Sequence, residues 1–110
     1  MKKSLQLIAL LLSFNAFAQE LKSPSEFLGY ELGTQFTRHH EVVDYYQYLA
    51  AEAPDRVQLD EYGKTNERRP LLLAYISSAD NIKNLESIRE EHLKNTSGEG
   101  NPSKAIVWLS

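Results

Sequence analysis

Three histidines, His39, His40 and His92, are the side chains of this sequence best suited to bind a metal or move a proton near neutral pH. None of them opens a His-x-x-Glu pair, because Val42, Val43 and Asn95 stand three residues further on. His39 and His40 are adjacent in a stretch of helical spacing, so their rings diverge by about 100° and are poorly placed to share an ion. His40 and Asp44 lie four residues apart and could touch one cation, but a plain surface pair gives the same spacing. His92 stands among charged residues and is expected in water. Ser77-Ser78 has neither nucleophile-elbow glycines nor a base to activate it, so acyl-enzyme chemistry is unsupported.

Other polar groupings have ordinary explanations too. Glu86, Glu90 and Glu91 read as a solvated helix face, with a calcium or partner site as the alternative. Tyr45, Tyr46 and Tyr48 place one ring in the core and others at its rim, with an aromatic binding platform as the alternative. Glu67, Arg68 and Arg69 form a charged cluster in a polar loop. No catalytic, cofactor-binding or metal-binding residue is therefore assigned in this chain.

The elements that must position these groups follow from hydrophobic spacing. Residues 37–53 carry Val42, Val43, Tyr46, Leu49, Ala50 and Ala53 at three- and four-residue steps, which predicts a helix. Thr37 is the expected cap, Glu41 suits the electropositive first turn, and Pro54 ends the element. Residues 57–62 alternate and residues 71–76 are continuously apolar, predicting an antiparallel pair joined by the polar loop 63–70. The continuous run is expected to be covered on both faces. A second helix is predicted over 79–94, capped by Ser78 or Asp80. After a loop, the apolar run 105–109 predicts a third strand, parallel to the second through a helical crossover. The expected fold class is therefore α/β with a mixed sheet.

The N-terminus has a separate character. Met1-Lys2-Lys3, the apolar run 5–14 and Ala16-Phe17-Ala18 form the three parts of a secretory signal peptide over residues 1–18. Export to the periplasm or outside the cell, after cleavage following Ala18, is the expectation. The apolar run is shorter than the ~20 residues that span a bilayer, so it is no membrane anchor. The chain has no cysteine, so neither a lipidated mature cysteine nor a disulfide scaffold is available. Residues 19–36 form a lead-in arm whose Phe27, Leu28, Tyr30, Leu32 and Phe36 should pack onto the body rather than stay in water. Residues 37–110 form the rest. The net charge of −3 is spread along the chain without a basic stripe, which leaves nucleic-acid binding no electrostatic footprint.

The run Tyr62-Gly63-Lys64-Thr65-Asn66-Glu67-Arg68-Arg69-Pro70-Leu71-Leu72-Leu73 resembles the G-K/R-S/T-x-E-G-R-P hairpin of carboxypeptidase A-like zinc peptidases. A helix ending in Ala53-Pro54 precedes it, as in that family. Lys104-Ala105-Ile106-Val107-Trp108-Leu109 is similar to the family strand that leads into a zinc-binding His-x-x-Glu. The lead-in from Ser23 to Gly33 and the long helix before the last strand are similar to exported bacterial members. Arg68 is the departure, standing where the family has glycine, a residue suited to positive φ or close approach.

The resemblance implies the truncated N-terminal portion of a zinc metallocarboxypeptidase, which hydrolyses C-terminal bonds of peptide or protein substrates by zinc-activated water. Zinc is then expected in the full-length parent and not in this chain, whose sequence stops at the carboxyl end of an inner strand, where α/β ligand crevices begin. The chain alone is expected to be inactive. By the same resemblance Arg69 ties the hairpin through hydrogen bonds, a substrate contact being the alternative. Two other readings stay open: a complete small secreted non-catalytic binding domain, or part of a related zinc amidohydrolase.

Overall fold

The computed structural model describes residues 20–109, so the signal peptide expected over 1–18 and its cleavage after Ala18 lie outside the described residues. The described chain is a small mixed α/β structure with four helices and a two-stranded antiparallel sheet.

Helix α1 (Pro24–Leu28) forms because Ser23 and Glu26 cap it reciprocally. Glu26 Oε2 accepts the Ser23 amide at 2.8 Å and Ser23 Oγ accepts the Glu26 amide at 3.4 Å, while Pro24 needs no amide partner in the first turn. Gly29 ends the helix in the left-handed region at φ +79°, donating its amide to the Ser25 carbonyl at 2.9 Å. The arm then lies on helix α2 (His39–Glu52) through Phe27, whereas Leu32 and Phe36, expected to pack as well, are 54% and 88% exposed. Phe27 sits 5.2 Å from the Tyr45 ring and 5.1 Å from that of Tyr48. Lys22 fastens the same junction, its amide donating to the Tyr48 hydroxyl at 2.9 Å and its carbonyl accepting from Tyr45 at 3.0 Å.

Helix α2 begins one residue later than its expected cap. Glu41 folds back to accept the Arg38 amide at 2.7 Å, making Arg38 the capping position. Thr37 is occupied elsewhere, its hydroxyl accepting from Tyr30 at 2.8 Å. The helix stops at Ala53, before Pro54, and Ala53 is one of two buried apolar residues of the described chain, the other being Val57.

Strands β1 (Val57–Lys64) and β2 (Pro70–Ile76) pair in the predicted antiparallel sense, Val57 facing Ile76 and Lys64 facing Pro70. The register shifts between Glu61 and Gly63, leaving Tyr62 out of the ladder and 68% exposed. Bulges of this kind bend a strand and sharpen its twist. Strand β2 is half-buried along its length and its end, Ile76, is exposed, so the expected cover on both faces is not present.

The helix predicted over 79–94 is two helices, α3 (Ala79–Lys83) and α4 (Leu85–Thr96). Asn84 breaks them apart: its side-chain amide donates to the Asp80 carbonyl at 2.8 Å, a local bond that competes with the helical ladder. Ser78 is the cap of α3, accepting the Asn81 amide at 3.4 Å. No helix among the described residues is long and apolar enough to cross a membrane.

The third strand and its parallel crossover are not formed. Residues 105–109 make no ladder and the sheet of the described residues has two strands. Ile106, Val107, Trp108 and Leu109 are 60–90% exposed. A parallel strand is stabilised when both its faces are covered, and among the described residues it is α4 that stands beside this segment, through His92 and Lys104.

Candidate functional site

Two regions gather polar chemistry. The first is the turn between β1 and β2. The Thr65 amide donates to the Arg69 carbonyl at 2.9 Å, and the Thr65 carbonyl accepts the Arg68 amide at 2.8 Å. The Thr65 hydroxyl accepts the Arg69 amide at 3.1 Å. Arg68 closes the turn at φ +62°, the one non-glycine residue with positive φ among the described residues. This is the pattern of a three-residue hairpin loop whose last residue is left-handed. A side chain there costs about 1–2 kcal/mol relative to glycine.

Arg69 serves the loop as expected, its Nη2 lying 2.6 Å from Glu67 Oε2. Both side chains are more than half exposed, so this pair orders the loop more than it stabilises the fold. On its other side Arg69 borders a recess shared with Phe36, Arg38, His39 and His40. Neighbouring helix positions point apart, yet His39 and His40 both edge this recess because it wraps the first turn of α2. Arg38 was not legible as a site residue. Its place just ahead of the first helical turn was the available signal.

The second region is a groove of about 540 Å³ between the sheet, α3 and α4, floored by Leu73, Tyr75 and Ile82 and bordered by Arg89 and Trp108. Burial first, then the nearby charge of Asp60, pushes the Tyr75 phenol above its ordinary value. Glu86, on the rim, is held below the usual carboxylate range by its hydrogen bond from Arg89, whose Nε lies 2.9 Å from Oε2. Glu90 and Glu91 are exposed on the same helix.

His92 corrects an expectation. It is half-buried, and its Nε2 lies 2.7 Å from the Lys104 carbonyl oxygen, so it pins the returning segment to α4 instead of standing in water. Ser77 and Ser78 are both used by Asn81: Ser77 Oγ accepts its side-chain amide at 2.9 Å and Ser78 Oγ its backbone amide. Of the three tyrosines, Tyr45 and Tyr48 seat the arm and each other, their rings 6.2 Å apart, and Tyr46 meets Tyr45 edge-on at 6.3 Å.

Among the described residues no three His, Cys, Asp or Glu side chains converge to hold a metal ion. The described donors therefore do not fit a catalytic zinc, which takes three protein ligands and one open position. His40 and Asp44 share no third donor, and His92 is bonded to a carbonyl. No known protein family, curated protein or solved structure matches the chain.

Proposed function

We propose that this chain is the first part of the catalytic domain of an exported zinc metallocarboxypeptidase, which removes residues from the C-termini of peptides. The observation that carries the reading is the hairpin turn. In the resembled motif glycine occupies the position of Arg68, and Arg68 takes the left-handed conformation that favours glycine, at φ +62°. The three-residue loop thus has, at Arg68, the backbone geometry that glycine would suit at that position of the motif.

The exposed apolar segment supports the same reading. Ile106, Val107, Trp108 and Leu109 lie beside a sheet whose outer strand is only half-buried, an arrangement that calls for further strands and helices. In this proposal the zinc donors and the substrate pocket come from chain other than these residues, and zinc would activate the attacking water. The residues present would build one wall: α2, the hairpin, and the segment that leads toward the metal.

Reading the coding sequence beyond Ser110 tests this. The expected result is a His-x-x-Glu within about ten residues and a third histidine well beyond it. A stop codon directly after Ser110 would overturn the proposal and favour a small secreted binding domain.

A further inference from the structure

We propose that the recess between the first turn of α2 and the start of β2 binds a small oxyanion, a carboxylate or a phosphate. Arg38, His39, His40 and Arg69 line it, with Phe36 at one side. Four side chains that carry or can acquire positive charge thus meet at one place in a chain of net charge −3. Of the carboxylates nearby, only Glu67 forms an ion pair within this cluster among the described residues. Glu41 is committed to the Arg38 backbone amide at 2.7 Å, which leaves the Arg38 guanidinium without an ion pair among the described residues. Glu67 holds Arg69 at 2.6 Å, but that pair is exposed, and an arriving oxyanion can compete for it. Asp44, one turn beyond His40 on α2, is exposed.

The chemistry suits an oxyanion over a cation or an apolar ligand. Guanidinium groups offer forked donors that match carboxylate and phosphate oxygens. The opening amides of the 14-residue α2 add positive potential at the same end. His39 and His40 add imidazole nitrogens, which can donate hydrogen bonds, at the edge of the same recess. On this surface the attraction is also screened by salt, which makes low ionic strength the condition in which it shows.

The test follows the imidazole NMR signals of the full gene product during titration with inorganic phosphate, with acetate, and with chloride as the control anion. Saturable shifts of His39 and His40, with His92 unmoved, are expected for phosphate, acetate or both, and the two arms separate the phosphate source from the carboxylate one. Arg69→Gln should weaken binding at least about fivefold, and Glu67→Gln, which frees Arg69, should strengthen it. Equal shifts for all three histidines, chloride matching both oxyanions, or no response to either substitution would overturn the proposal. Neither zinc nor peptide hydrolysis enters this readout, so it stands or fails apart from the peptidase reading.

Discussion

The amide of Arg68 donates to the Thr65 carbonyl at 2.8 Å while Arg68 itself stands at φ +62°. One residue therefore closes the hairpin and carries its backbone strain. Arg68→Gly relieves the side-chain clash, partly offset by the greater freedom of glycine in the unfolded chain. A gain of about 0.5–1 kcal/mol in urea unfolding is expected, and Arg68→Val should lose more than that. A glycine variant that loses stability would mean that the arginine side chain makes a contact that outweighs the strain.

The lead-in arm depends on Phe27, Tyr45 and Tyr48. Phe27→Ala should cost about 1–2 kcal/mol and free residues 20–36 for rapid amide exchange, with α2 and the hairpin retained. Tyr45→Phe removes the bond to the Lys22 carbonyl and should cost about 1 kcal/mol.

The same junction is sensitive to alkali. Burial raises the Tyr45 phenol above its ordinary value near 10, and the neighbouring phenol of Tyr48 adds to the shift. Its contribution is complete below that ordinary value and is lost as the pH rises through the higher folded-state value, where the phenolate can no longer donate. Amide exchange across residues 20–36, measured against pH, should therefore climb more steeply than the intrinsic rate above about pH 10, as protection is lost. Tyr45→Phe should abolish that inflection.

Gly100 packs on the end of α4, where an added Cβ would strike the Asn95 amide nitrogen and lie 2.7 Å from the Glu91 carbonyl oxygen. Gly100→Ala should push the loop off the helix and break the contact between His92 and Lys104. The cost should be about 1–3 kcal/mol locally. A His92 imidazole signal unchanged from the parent would contradict this.

The elements with strong local signals were legible from sequence. The helix over α2 and the strand pair follow from spacing that one element can satisfy by itself, and the break at Pro54 follows from the missing amide. What escaped reading depends on partners chosen in three dimensions. Thr37 could not be seen to prefer Tyr30, nor Asn84 to reach back to Asp80 and split a helix whose apolar stripe runs straight through it. His92 looked solvated because its neighbours in sequence are charged, whereas its partner, Lys104, returns from a loop. The run 105–109 has strand composition, but composition cannot supply the covering elements that a buried strand needs. In the recess, His39 and His40 were visible as residues, but their company with Arg38 and Arg69 was not.

Trp108, the single tryptophan of the chain, reports on that uncovered segment, being 72% exposed. In residues 19–110 alone its fluorescence should be red-shifted and readily quenched by acrylamide, and the isolated chain should aggregate through its unpartnered apolar face. In the full gene product, the difference between wild type and Trp108→Phe should isolate a blue-shifted, protected emission. Equal quenching in both contexts would mean that nothing covers the segment.

The most direct measurement is the release of C-terminal amino acids from a peptide by the full gene product, with and without a zinc chelator. The expected result is stepwise release that the chelator abolishes and added zinc restores, while residues 19–110 alone release nothing. A full product that purifies without zinc and releases no C-terminal residue, or activity that survives the chelator, would contradict the peptidase reading. Hydrolysis of acylated amino acids in place of peptides would point instead to the related zinc amidohydrolases.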